Sequence, residues 1–519
     1  MKKILNKIFG ILTLTLLSIV IQLNWIVLWV YVLEERYKYV SIGAHVMAII
    51  IAFIVLNKKT QVYNKMSWML FIVLVPILGC MCYFIFGRSE LTKKTREKLS
   101  KTHNYYKKFL MGEKSDAELL KLRDSKNAYK LAKYMKNYGH YPIYKSDEAK
   151  YYSNIRELFE EMLLDIDKAQ KFVFIEFFIV DKGYMLDRLM DILKKKIKQG
   201  VEVRFIYDDI GCINTMKTKD WKELSKFGIQ FAQFNKFKPI VSVVMNNRDH
   251  RKNVIIDGKI AYTGGFNLAD EYINRVERFG YWKDAGIKFT GKAVVNSTVM
   301  FLEMWNFIKE TLEDPTEYIE FSKSKLESYN KIENRKEDAF LLPYADSPLD
   351  YETVGENVYL NVINNAKKYV YIFTPYLIID SEMNKALVNA AKSGVDVRII
   401  TPGIPDKKMV FLATQSSYEP LIEGGVKIFQ YSPGFVHAKC CICDGKYGVV
   451  GTINFDFRSF FLHYESAVLM YKCSAIEHLK QDFIETFAVC DKVTLEFTKR
   501  RDYCIRFLQS ILRAFAPLL

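Results

Sequence analysis

The sequence predicts an α/β protein in which N-terminal transmembrane helices precede two similar α/β halves with a shared active site. Three observations predict it. The first ninety residues carry three uncharged apolar segments. A strand–helix–strand pattern that begins at Ala169 returns at Ala366. The segment HRKNVIIDGKIAYTGGFN, His250 to Asn267, returns with its polar offsets kept as HAKCCICDGKYGVVGTIN, His437 to Asn454.

The apolar segments come first. Ile11–Leu33 has 23 residues without a charge, the length of a bilayer-spanning helix. Val40–Leu56 is shorter and contains His45, and Met66–Phe86 has 21 uncharged residues that include Pro76 and Gly79. Met1–Leu17 opens like a signal peptide, with Lys2, Lys3 and Lys7, but no small-residue cleavage site follows and the apolar run is too long. Residues 1–90 are therefore expected to be a multi-pass membrane anchor, with Pro76 marking either a kink or a re-entrant dip. Arg88, Lys93, Lys94, Arg96 and Lys98 favour a cytoplasmic start to the soluble part. Three crossings would then leave Lys2, Lys3, Lys7, Lys58, Lys59 and Lys65 outside, against the same rule.

Residues 91–150 are charged, rich in Tyr and Lys, and read as a linker whose helices lie near the membrane surface. The repeat follows. AQKFVFIEFFIV leads through an amphipathic helix ended by Gly200 to VEVRFI, and AKKYVYIFTPYLIID leads through one ended by Gly394 to VDVRII. Glycine just past a helix is a common stop, and strand–helix–strand at this length implies a right-handed unit in a parallel sheet. The halves are residues 151–310 and 341–490, joined by a connector, 311–340, rich in Glu, Lys and Ser. Residues 491–519 end in KRRDYCIRFLQSILRAFAPLL, which is either an amphipathic interfacial helix or a helix packed on the catalytic part.

The chain has 519 residues, with 75 Lys+Arg against 59 Asp+Glu and a net charge of +16, a balance suited to an anionic partner such as a membrane surface or nucleic acid. Its nine cysteines lack scaffold-like spacing, which argues against a disulfide framework and for a reducing compartment. Cys440, Cys441 and Cys443 lie near His437, but the first copy has Asn253, Val254 and Ile256 in their places. The repeat thus makes them packed strand residues, and no metal site is expected.

Strand alternation puts His250 with Lys252, and His437 with Lys439, on one face. A neutral imidazole can attack phosphorus, an imidazolium can protonate a leaving alkoxide, and a lysine beside it neutralises phosphate oxygens. Asn267 and Asn454 can donate to the same oxygens. Asp284 and Glu465, downstream of the motifs, can orient the imidazoles. Asp257 and Asp444 precede a glycine between two apolar runs, so each either ties its hairpin to the site or simply sets the turn. The remaining histidines, His45, His103, His140, His463 and His478, are expected to be structural.

The paired motifs resemble the HKD signature of the phospholipase D superfamily. The flanking phrases IEFFIV, IYDDIGC, NNRDHRK, TGGFNLADEY, FGYWKDAG, FTPYLIID, YSPGFVHAK and NFDFRSF, with the apolar N-terminus ending in FIFGR, are similar to bacterial cardiolipin synthases over nearly the whole chain. The resemblance implies two phospholipase D-type α/β halves with one site between them. His250, Lys252 and Asp257 with His437, Lys439 and Asp444 would be catalytic, and Asn267, Asn454, Asp284 and Glu465 would bind phosphate or support it. It implies a phosphatidyltransferase that passes a phosphatidyl group from one phosphatidylglycerol to another through a phosphohistidine. The nucleophile is His250 where the first motif supplies it. No cofactor is implied, the partners are phosphatidylglycerol and other anionic lipids at the cell membrane, and nucleic acid is not expected. A hydrolase, a phosphatidylserine synthase or a nuclease would use the same residues. A non-catalytic scaffold would have no need of either lysine.

Overall fold

The computed structural model describes residues 38–58, 62–86, 93–111, 116–122, 126–145, 148–236, 247–320, 339–348 and 352–515. The expected span Ile11–Leu33 lies outside them. The described residues fall into two compact units, one N-terminal, up to Phe86, and one formed by the rest.

In the N-terminal unit, Lys38–Leu56 is one helix of 19 residues. The next apolar segment is broken at Pro76 into the helices Val62–Leu74 and Pro76–Phe86. Proline lacks the N–H that the preceding turn would bond and its ring clashes with that turn, so the helix restarts there. Among the described residues no helix is long and apolar enough to cross a membrane. The unit has a small buried cluster of Ala48, Ile51, Val55, Ile72 and Tyr83.

The second unit contains both halves. The first is a seven-stranded sheet in the spatial order Ala149–Tyr152, Gly286–Thr290, Ile260–Gly264, Asn253–Ile256, Phe172–Phe177, Glu202–Asp208, Gln230–Phe234. The second is nine-stranded. Its inner order, Phe340–Asp346, Glu465–Tyr471, Tyr447–Gly451, Cys440–Cys443, Tyr369–Phe373, Asp396–Pro402, Lys427–Tyr431, repeats the first, with Tyr144–Lys145 and Cys490–Lys492 added at the edges. The strand–helix–strand units are parallel, as the repeat predicts. The sheets are nevertheless mixed, because each motif folds back as an antiparallel hairpin beside the first strand of its unit.

The crossover helices follow their sequence signals. Tyr184–Lys198 buries Met185, Leu186, Leu189, Met190 and Leu193, the i, i+3, i+4 stripe of a half-buried helix. Its first two amides donate to the Asp270 carboxylate, and it stops before Gly200, whose φ of 84° suits glycine alone without strain. Ser381–Lys392 is capped by Asp380 and stops before Gly394 in the same way.

One continuous apolar core runs between the sheets, from Phe174 and Ile255 of the first half to Ile372 and Ile442 of the second. The expected linker, 91–150, belongs to this body. Its helix Lys93–Met111 buries Tyr106 and Leu110 in the shared core, and Tyr144–Lys145 pairs with the edge strand Phe340–Asp346. Its charge misled because one face of a charged helix still carries enough aromatic surface to pack. The connector also packs in part: Glu313 and Tyr318 hold Arg204 at 2.6 and 2.7 Å.

Candidate active site

The halves meet through their motifs. The chain entering His250 lies against Tyr464, whose N–H donates to Arg248 O at 2.8 Å while the His250 N–H donates to Tyr464 O at 2.9 Å. The chain entering His437 pairs in parallel with Tyr281–Lys283, and the His437 N–H donates to Lys283 O at 2.7 Å. Each histidine is thus fastened to the opposite half, one residue ahead of that half's acid. His250 Nδ1 lies 3.0 Å from both Glu465 oxygens, and His437 Nδ1 lies 2.6 Å from Asp284 Oδ2. Both carboxylates are fully shielded from solvent. The acids therefore serve the motif of the other half.

Lys252 and Lys439 are buried, and each donates its ammonium to the carbonyl of its own motif histidine, His250 and His437. Burial pulls the His250 imidazole down to about 3 against the pull of Glu465, and His437 down to about 4. Burial also raises the Glu465 carboxyl, but the interactions with His250 and His463 more than offset it and hold the group well below the usual carboxylate range. Asp284 is lowered in the same manner by His437 and Lys439. At neutral pH the free site thus holds two neutral imidazoles and two carboxylates. With each Nδ1–H engaged by its acid, Nε2 is left as the reactive nitrogen. Burial lowers Lys252 to about 7 and Lys439 to about 8, and Lys439 is itself among the charges that lower Lys252. The two lysines therefore converge on one region of high positive potential, suited to a phosphodiester.

The glycines explain part of the spacing. A Cβ at Gly265 would overlap Asp284 Oδ1 and sit 3.0 Å from His437 O, so only glycine leaves room for the acid that holds His437. The second motif has Thr452 at that position, and its hydroxyl donates to Glu465 Oε2. The asparagines also differ. Asn267 accepts from the Ile179 N–H at 3.0 Å and donates to Tyr272 Oη at 2.6 Å, so its amide is committed to the scaffold. Asn454 Oδ1 is buried with no hydrogen-bond partner.

Asp257 and Asp444 do not reach the imidazoles. Asp257 accepts from the N–H groups of Gln170, Lys171 and Phe172 at 2.8–2.9 Å, and Asp444 accepts from those of Lys367, Lys368 and Tyr369 at 2.7–2.9 Å. Both occupy left-handed turn positions, with φ of 53° and 52°. Each lies seven positions from its histidine along an extended segment, roughly 20 Å at the usual rise per residue. They tie the motif hairpin to the start of the neighbouring strand, and this corrects their assignment to the catalytic set.

Sequence reasoning missed His463. Its ring centroid is 5.5 Å from that of His250, and its Nδ1 is 3.7 Å from Glu465 Oε1. His250, His463 and Glu465 offer ligand atoms within 4.8 Å of one another, a set able to take a transition-metal ion at the expense of the free imidazole. The first half has Trp282 at the matching position two residues before its acid, so the repeat hides this histidine. Also missed was the frame behind His250, in which Arg251 bonds Asp249 and Glu176 at 2.9 and 2.8 Å and Arg248 meets Asp208 at 3.3 Å. The cysteines Cys440, Cys441 and Cys443 are buried strand residues.

A family model described as "Cardiolipin synthase, PLD-like domain" matches residues 162–278 and 359–487, and one described as "Phospholipase_D-nuclease N-terminal" matches 46–88. A cardiolipin synthase of Clostridium perfringens is 34% identical over 465 residues, 87% of this chain and 94% of that protein. The chain belongs to the cardiolipin synthases of the phospholipase D superfamily. An uncharacterized protein of Streptococcus mutans is 39% identical over 89% of this chain and 98% of its own length. Among solved structures, phosphatidylserine synthase of Haemophilus influenzae matches with a TM-score of 0.55 at 15% identity, covering 75% of this chain and 98% of that one, which shows the shared two-half fold. The two stretches matched by the cardiolipin synthase model, 162–278 and 359–487, fall one in each of the duplicated halves.

Proposed function

We propose that this chain makes cardiolipin by two transfers through a single phosphohistidine, with His250 as nucleophile and His437 as acid and base. The observation that carries the reading is the exchange of acids between halves, Glu465 on His250 and Asp284 on His437. His250 Nε2 attacks the phosphorus of one phosphatidylglycerol. The bond from phosphorus to the glycerol headgroup breaks, and protonated His437 gives its proton to the departing oxygen, so glycerol leaves and a phosphatidyl-histidine remains. The headgroup hydroxyl of a second phosphatidylglycerol then gives its proton to His437 and attacks phosphorus, which releases cardiolipin and frees His250.

The resting His437 is neutral, so the bound diester has to bring the proton on. Its negative charge between Lys252 and Lys439 opposes the lysine field that helps depress His437, which raises the imidazole toward protonation. The shorter contact favours His437 for this role, since Asp284 lies 2.6 Å from it whereas Glu465 lies 3.0 Å from His250 and also receives Thr452. Asn267 already gives an amide N–H to Tyr272 Oη, which makes Asn454 the better candidate donor to phosphate.

The N-terminal unit supports a membrane anchor, since it leaves Ile49, Ile50, Phe53, Ile54, Leu70, Val73 and Leu74 exposed, more apolar surface than a soluble domain leaves bare. The basic residues after Phe86 and nine free cysteines support a catalytic part on the cytoplasmic side. The test is product analysis. Purified wild type on phosphatidylglycerol bilayers is expected to give cardiolipin and glycerol in about equal amounts, as one glycerol per transfer requires, while His250→Ala and His437→Ala give neither. Phosphatidic acid as the main product would make the chain a hydrolase and overturn the reading.

A further inference from the structure

The C-terminal helix, Tyr503–Phe515, buries Leu512 and Gln509 against the protein and turns a further apolar stripe toward solvent. Tyr503, Phe507 and Ile511 are 89%, 67% and 40% exposed. Positions four apart turn by about 40° around a helix, so these three form one stripe about 80° wide. On the opposite side, Gln509 and Leu512 are buried against the body, and on the flank Arg506 Nη2 lies 3.8 Å from Glu419 Oε1. A groove of about 300 Å³ beneath the helix is lined by polar groups, among them Glu419, Glu423, Arg501, Gln509 and Arg513. A helix that only packs on a domain turns its apolar stripe inward. This one packs Leu512 and part of Leu508 on the body and leaves the larger apolar stripe exposed. The exposed Phe497 and Met409 on neighbouring helices add to the apolar surface.

We propose that this helix is a second membrane contact, which lays Tyr503, Phe507 and Ile511 into the surface of an anionic bilayer. The occupant is read from charge. Lys499, Arg500, Arg506 and Arg513 are exposed around the helix; the first three have Glu423, Glu496 and Glu419 as partners yet remain open to solvent, and with Arg513 they form a fringe of cations that can turn to anionic lipid headgroups. The contact rests on the lipid substrate of the reading above and goes beyond it, because it assigns the catalytic unit its own grip on the bilayer. Held in this way, the site would meet lipid headgroups repeatedly within one encounter with the surface.

Cys504 is the exposed one of the nine cysteines and lies at the Ile511 edge of the stripe, which makes it a native probe position. The full-length protein is labelled there with an environment-sensitive fluorophore, and a second sample carries the label on the far side of the helix, about 120° from Phe507, through Cys504→Ser with Arg513→Cys. Both are reconstituted in phosphatidylglycerol–phosphatidylcholine vesicles that contain chain-brominated lipid. Quenching is expected to be at least about twofold stronger at Cys504 than at position 513 and to weaken in vesicles of phosphatidylcholine alone. Phe507→Glu with Ile511→Glu is expected to slow cardiolipin formation on bilayers by about tenfold, while leaving turnover of a short-chain, monomeric phosphatidylglycerol unchanged. Equal quenching at both positions would overturn the proposal. So would a Cys504 label shielded from water but not reached by brominated lipid, which would mark a contact between copies. The quenching does not depend on turnover, so an inactive wild type would count against the catalytic reading and not against this one.

Discussion

Replacing Glu465 by glutamine keeps the shape of the side chain and removes one buried negative charge. His250 gains positive character when it attacks phosphorus, and the carboxylate 3.0 Å from its Nδ1 stabilises that charge. At 3.0 Å and an effective dielectric of about 20, a pair of unit charges interacts by about 5 kcal/mol. The glutamine carbonyl can still accept from Nδ1, which retains about 1 kcal/mol. The transition state therefore loses about 4 kcal/mol, a drop of about a thousandfold in rate. The assay is the initial rate of cardiolipin formation from phosphatidylglycerol by purified enzyme, with thermal unfolding measured on the same sample. Stability is not expected to fall in step, because the mutation also removes the cost of keeping a carboxylate out of water. A loss of less than about tenfold in a normally folded variant would refute the role assigned to Glu465. A collapse of fold and activity together would make the residue structural.

Three further outcomes follow from the same geometry. Gly265→Ala puts a methyl group into the space held by Asp284 Oδ1, so activity should fall at least about a hundredfold, by analogy with other displaced catalytic groups, and single-turnover kinetics of each transfer would detect it. Asp257→Asn weakens three bonds to backbone amides at the far end of the hairpin; it should lower stability by about 2–4 kcal/mol in denaturant titrations yet leave the activity of the folded fraction near wild type. Lys252 and Lys439, lowered by burial to about 7 and 8, bind phosphate only when protonated. The value of kcat/KM should therefore fall as pH rises above about 8, and binding of a short-chain phosphatidylglycerol at pH about 7.5 should take up protons in calorimetry across buffers of different ionisation enthalpy. Proton release would contradict the assignment.

Much of this protein is legible without coordinates because it is written twice. The repeat beginning at Ala169 and Ala366 determined the crossover units, and the glycines at 200 and 394 determined where their helices stop. Offsets shared between the copies singled out His250, Lys252, His437 and Lys439, since residues two apart on an extended strand share a face whatever surrounds them. The same repetition separated cysteine packing from metal binding. Residues that act locally are visible in this way because a turn or a strand needs only its neighbours.

The tertiary structure decided what depends on the other half. The partner of each histidine lies 215 or 153 positions away along the chain, in the opposite copy, and no local spacing encodes that exchange. Asp257 and Asp444 share the offsets of the catalytic residues, and only the three amides closed around each one show that they hold strands together. His463 joins the site because the chain around Tyr464 pairs with the strand entering His250, a contact with no counterpart in composition. The C-terminal helix is amphipathic by sequence alone. Which of its faces turns outward is visible only in the fold, where Gln509 and Leu512 are buried while Tyr503 and Phe507 are exposed.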